Sequence, residues 1–132
     1  MLGSRGVSAE TVVILHLQRG FRLIEWILAT LKAGGAYVYL DPKLPDDRKK
    51  LVISIASGMN SVLVTDDILP RDAEWAKVFS GTVVSHQEVT ELSRPETEPA
   101  TKQVEPGNMA YIVFTSGSTG MLVHGFPPHF SR

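Results

Sequence analysis

The chain has 132 residues, of which 43% are hydrophobic and 20% charged, with a formal net charge of −1. That profile fits a soluble globular chain of at most one domain, and it leaves no basic excess with which to bind nucleic acid. The absence of cysteine excludes disulfides, thiolate nucleophiles and cysteine-containing zinc sites.

Met1 to Arg5 lack the apolar stretch of a signal peptide, so a cytoplasmic setting is the default. Thr11 to Leu17 carry Val12-Val13-Ile14-Leu15, the length expected of a strand buried on both faces. From Phe21 to Ala33, Ile24, Ile27, Leu28 and Leu31 recur at helical spacing. Phe21, Leu23 and Trp26 widen that stripe until little of the helix is expected to face water. Glu25 and Lys32 interrupt it, so it is no membrane span. Gly34-Gly35 should end the helix, because glycine enters the left-handed conformation without a Cβ penalty.

Ala36 to Leu40 reads as a second strand, stopped by a structural turn at Asp41-Pro42. A second helix is expected from Pro45 or Asp46 to Ser57. Asp46 and Asp47 would stand at its positive end, and Leu51, Val52 and Ile55 would form one face. Gly58 would stop it, and Ser61 to Thr65 would be a third strand. Asp66-Asp67 is read as a turn signal rather than a Mg²⁺ site. A short helix over Ala73 to Phe79 and a strand over Gly81 to Ser85 are weaker signals. Glu88 to Gly107, with Pro95, Pro99 and Pro106, reads as a long exposed connection. Asn108 to Phe114 is a strongly strand-forming run. The alternation predicts an α/β fold with a mainly parallel sheet flanked by helices.

Directly behind the last strand stand Thr115, Ser116, Gly117, Ser118, Thr119 and Gly120. Glycines let successive N–H groups point into one concavity, and hydroxyls add donors, which suits phosphate. The spacing fits neither a Walker loop, a dinucleotide fingerprint nor a nucleophile elbow. On composition alone a flexible linker is an equal reading. The position at the carboxyl end of a strand favours a site. His16, His86, His124 and His129 show no paired metal-ligand spacing, and Trp26 reads as core.

Leu31-Lys32-Ala33-Gly34-Gly35-Ala36-Tyr37-Val38-Tyr39-Leu40-Asp41-Pro42, followed by Pro45 and Arg48, resembles an early core motif of the adenylation domains of nonribosomal peptide synthetases. Met109-Ala110-Tyr111-Ile112-Val113-Phe114-Thr115-Ser116-Gly117-Ser118-Thr119-Gly120 is similar to the phosphate-loop motif of that family. The family also includes acyl-CoA synthetases and luciferases. The resemblance implies a partial N-terminal subdomain of an adenylate-forming enzyme over residues 1–120, with Thr115 to Gly120 gripping the β- and γ-phosphates of ATP brought with Mg²⁺. It implies a carboxylic or amino acid substrate activated as an acyl-adenylate. The phosphopantetheine thiol of a carrier protein would then take the acyl group.

Two departures qualify the expectation. Tyr39 stands where the family usually has Pro, and Met121-Leu122-Val123-His124 replaces the lysine-bearing segment that follows Gly120 in the family. The tail 121–132 carries no family likeness and reads as the product of a shifted frame, a retained intron or a misplaced gene end. No catalytic residue is therefore assigned. The alternative is a catalytically dead globular or interaction module with a vestigial loop.

Overall fold

The computed structural model describes residues 2, 6–56, 60–66, 73–87, 89, 104–115 and 122–125. Among these residues the strands are β1 (Val12–His16), β2 (Ala36–Tyr39), β3 (Ser61–Thr65), β4 (Thr82–Ser85), β5 (Tyr111–Thr115) and β6 (Leu122–Gly125). The helices are α1 (Phe21–Lys32), α2 (Asp46–Ala56) and α3 (Glu74–Lys77). One sheet runs in the order β4-β3-β1-β2-β5-β6. The first five strands are mutually parallel, and β6 alone is antiparallel, to β5. No helix among the described residues is long and apolar enough to cross a membrane.

β1 lies in the middle of the parallel ladder, Val13 opposite Tyr37 on one side and Val62 on the other. Both faces of such a strand must be covered, and alternate residues divide between two cores. Val13, Leu15, Val62, Val64 and Val84 pack with Trp26 and Ala33 beside α1. Val12, Ile14, Val38 and Leu63 pack on the opposite face with Val52 and Ile53 of α2 and Trp75 of α3. Each fully buried aliphatic side chain contributes about 1.5–3 kcal/mol. The expected α/β layering is therefore present, and both tryptophans are core residues.

Helix α1 departs from its expected orientation. Its inner face is Trp26, Thr30 and Ala33, with Leu23 and Ile27 partly buried. Phe21, Ile24, Leu28 and Leu31 are exposed, Phe21 at 87%. The inner face combines Trp26 with the smaller Thr30 and Ala33; the Thr30 hydroxyl donates to the Trp26 carbonyl at 2.7 Å and so carries no unpaired polar atom inward. The apolar content of the helix was legible, but its bulkiest stripe points outward.

The helix ends as expected. Gly34 has φ +83°, its N–H donates to Leu31 O, and Gly35 N–H donates to Thr30 O, the paired bonds of a Schellman motif. A Cβ on Gly35 would stand 2.8 Å from Val7 Cγ1 and 3.0 Å from Thr11 O. The Lys49 N–H bonds to Pro45 O, so Pro45 caps α2 rather than opening it. Gly58 and Asp67 lie outside the described residues. β5 begins at Tyr111 rather than Asn108, because the Met109 N–H and the Asn108 amide both donate to the Glu10 carboxylate at 3.2 Å, which draws them off the ladder. Residues 104–107 are exposed as expected, but Val89 is buried among the α1-side core residues, a correction to the exposed connection drawn from Glu88 onward. The rest of that connection, residues 88 and 90–103, lies outside the described residues.

Gly35→Ala should lower the unfolding free energy by roughly 1–3 kcal/mol, since valine and a strand carbonyl must both give way. Gly107→Ala, with nothing within 4 Å of its added Cβ, should stay within about 0.5 kcal/mol of wild type by urea denaturation. The outer stripe of α1 should make the isolated chain self-associate. Light scattering should show the association reduced in Phe21→Ser/Leu28→Lys with the thermal midpoint kept. A monodisperse wild-type monomer would contradict this.

Candidate functional site

Because five strands are parallel, their carboxyl ends share one edge, the usual place for ligands in an open α/β sheet. Between β1 and β3 the chain leaves for opposite faces, α1 on one and α3 on the other. Asp66 bridges that crevice: its carboxylate accepts from Gln18 N–H at 2.8 Å and from Arg22 at 3.4 Å. The polar groups there are already matched. At the end of β2, the Asp41 carboxylate accepts from Lys43 N–H at 2.9 Å and pairs with Arg19 at 3.2 Å. Those contacts, the Lys43 N–H first and then the Arg19 charge, hold the Asp41 carboxyl below its ordinary value. Asp41 is thus a turn residue, as expected, and also an ion-pair partner, which its motif did not reveal.

Of the six expected phosphate-loop residues, Thr115 closes β5, opposite Leu122 of β6. Ser116, Gly117, Ser118, Thr119 and Gly120 lie outside the described residues. β5 ends at the shared carboxyl edge, and β6 pairs antiparallel with it as a hairpin. The hairpin was not foreseen, since nothing in the tail's pattern marks Leu122–Gly125 as a strand.

A pocket of about 510 Å³ opens beside β5, between Tyr39 of β2, Arg48 and Val52 of α2, and Ile112 and Phe114 of β5. Sequence reasoning treated Tyr39 only as a tolerated change and Arg48 only as part of a motif. Arg19 reaches the pocket from the loop after β1, its guanidinium 5.9 Å from the centre of the Tyr39 ring. The Tyr39 oxygen, with Asp41, holds the Arg19 cation in its charged form. The phenol oxygen is buried and has no hydrogen-bond partner.

Below this edge His16 ends β1 with its ring 4.6 Å from that of Trp75. Lys49, buried on α2, places its ammonium 5.3 Å from the centre of the same indole and 3.7 Å from Asp46. Burial, and then the Lys49 charge, push the His16 imidazole down to about 4, against smaller opposing effects of Asp66 and Asp41. The Nε2 atom is buried without a partner. His86 instead accepts a hydrogen bond from Trp26 Nε1 at 3.1 Å. Among the described residues no three His, Asp or Glu side chains converge as a metal site.

Comparison with known proteins agrees with this architecture. The family description "AMP-binding enzyme" matches residues 1–122. The chain is 37% identical over 123 residues to the hybrid PKS-NRPS synthetase TAS1 of Pyricularia oryzae, covering 89% of this chain and 7% of that protein. It is 34% identical over 119 residues to surfactin synthase subunit 3 of Bacillus subtilis, covering 90% of this chain and 9% of that protein. The O-succinylbenzoate coenzyme A synthetase of Bacillus subtilis, solved in complex with AMP, shares the fold with a TM-score of 0.70 at 19% identity, over 98% of this chain and 32% of that chain. The chain therefore spans less than a tenth of either synthetase and about a third of the solved structure.

The His16 environment sets a pH dependence. The unfolded ring binds a proton near pH 6.5 and the folded ring only near 4, so between these values the unfolded state holds more protons. Stability should be complete above about pH 6.5 and fall as the pH drops toward 4. Solvent screening of the partly exposed ring limits the loss to about 1 kcal/mol by pH 5. Urea midpoints at pH 7, 6 and 5 should fall for wild type and stay nearly level for His16→Phe, which keeps a ring against Trp75.

Proposed function

Since the chain belongs to the AMP-binding enzyme family, we propose that it is an N-terminal piece of an adenylation domain whose segment Thr115 to Gly120 holds the phosphates of ATP. The observation that carries this reading is the place of Thr115, which ends β5 at the carboxyl edge of a parallel sheet, followed in sequence by Gly, Ser and Thr residues whose composition suits an anion.

In the intact reaction, a carboxylic or amino acid carboxylate attacks the α-phosphorus of ATP. Pyrophosphate leaves, and the acyl-adenylate passes its acyl group to the phosphopantetheine thiol of a carrier. The part of the loop is to fix the β- and γ-phosphates and to spread the charge of the departing pyrophosphate over donors already in position. Mg²⁺ would arrive with the nucleotide. The described carboxylates at this edge do not fit a metal cradle, since Asp41 is engaged by Lys43 and Arg19, and Asp66 by Gln18 and Arg22. No step is assigned to a metal held by them. The reading places the chain in the cytoplasm, where ATP is available.

This chain alone binds but does not turn over on the proposed reading. The lysine that follows the loop in the family is replaced, and loss of one positioned charge costs on the order of 10² to 10³ in rate. Titration of the chain with ATP, followed by ³¹P NMR, should show weak saturable binding that is lost in Gly117→Val without a change in thermal midpoint. Pyrophosphate–ATP exchange with the full set of amino acids should stay at background. If wild type and Gly117→Val bind ATP equally or not at all, the loop is vestigial and the chain is an interaction module. Robust exchange would contradict the inactive reading.

A further inference from the structure

Helix α1 carries on its outer side a stripe whose spacing is the same read from either end. Phe21, Ile24, Leu28 and Leu31 are exposed, at 87%, 55%, 53% and 37%. They stand three, four and three residues apart, the spacing of a seam between two packed helices. Because that series is palindromic, a second α1 laid antiparallel on the first sets Phe21 opposite the second copy's Leu31, and Ile24 opposite its Leu28. Trp26, Thr30 and Ala33 hold the other side of the helix to the sheet, so the stripe can be covered without disturbing the core.

Area and charge narrow the occupant. With a free Phe, Ile or Leu residue exposing roughly 200 Å², those fractions leave about 450 Å² of apolar surface on each copy. Two copies together remove about 900 Å² from water, and Leu23 and Ile27, partly buried along the margin, carry the contact to the size of about 1,000 Å² at which specific interfaces begin. That size suits a reversible dimer rather than an obligate one. The exposed charges beside the stripe, Glu25 and Lys32, are one of each sign, and Arg22 is engaged by Asp66, so nothing there selects a strongly charged partner. From the palindromic spacing and the area we infer that α1 is a self-docking surface, on which a second copy of this chain packs antiparallel about a two-fold axis at the level midway between Ile24 and Leu28. Such a contact closes on itself and stops at two copies, unlike the open-ended association of a merely sticky face. It brings the two Glu25 side chains to nearly the same level, a like-charge pair that weakens the dimer. The inference rests on α1 alone and does not depend on the phosphate loop.

Sedimentation equilibrium of the full chain should show monomer and dimer only, with a dissociation constant on the order of micromolar. Leu28→Lys should weaken the dimer about tenfold or more, and Glu25→Gln should tighten it about twofold. The chain has no cysteine, so single cysteines beside the stripe report the arrangement without background even if Leu28→Lys fails to fold. A short bis-maleimide should cross-link Glu25→Cys to itself about tenfold faster than Lys32→Cys, because the two-fold axis holds the second pair about 18 Å apart along the helix. Equal cross-linking of the two variants, as a parallel or non-specific contact would give, overturns the inference, as do species that grow beyond the dimer. A monomer at every concentration with Ile24→Cys slow to react with maleimide also overturns it, by showing that another part of the same chain covers the stripe; a monomer with Ile24→Cys fast to react overturns it by showing the stripe uncovered.

Discussion

Parallel pairing of β1 with both β2 and β3 is the constraint from which the rest of this structure follows. A strand hydrogen-bonded on both edges and parallel to its neighbours needs cover on both faces and a crossover between each pair. Val12 to Leu15 meet the first demand, since all four are fully buried apolar residues. Helices α1 and α2 meet the second from opposite sides. The same parallel sense gathers the ends of β1 to β5 on one edge. Asp41, Asp66, Tyr39 and Thr115 share that edge for that reason, although they are scattered along the chain.

That constraint also explains what was legible in the sequence. The bounds of β3 were read without error, because Ser61 and Thr65 enclose a continuous apolar run and a short run of that length has one role in such a sheet. The stop of α1 was equally plain, as only glycine accepts the φ of +83° at Gly34. The orientation of α1 was not, because a helix apolar nearly all round has no periodic signal to choose its inner face. The choice went to Thr30 and Ala33 through the close approach of Gly35 to Val7 and Thr11, a fit between distant segments that no local window contains.

The candidate site divides in the same way. A loop of glycine and hydroxyl residues behind a strand announces itself, because its chemistry is carried by consecutive residues. The pocket beside it does not. Tyr39 ends a strand and Arg48 begins a helix, and their shared cavity needs β5, more than sixty residues later, as its far wall. Glu10 is a parallel case: its carboxylate shortens β5 by holding Asn108 and Met109, an effect that no local propensity contains.

The edge also shows how the fold separates groups that hold the structure from groups left available. Asp66 joins the turn after β1 to the end of β3 through Gln18 and Arg22, and Asp41 joins the turn after β2 to Arg19. Each aspartate accepts from a backbone N–H with one oxygen and from a guanidinium with the other, which ties the turns to the strand ends. His16 is kept neutral by burial near Lys49 and contributes a ring to Trp75 rather than a charge to the edge. With these groups committed to bracing the strand ends, the guanidinium that lines the pocket without a carboxylate partner among the described residues is that of Arg48. Bracing by the acids decides which cation stays unpaired: had Asp41 turned to Arg48 instead of Arg19, the net charge lining the pocket would be the same and Arg19 would carry it.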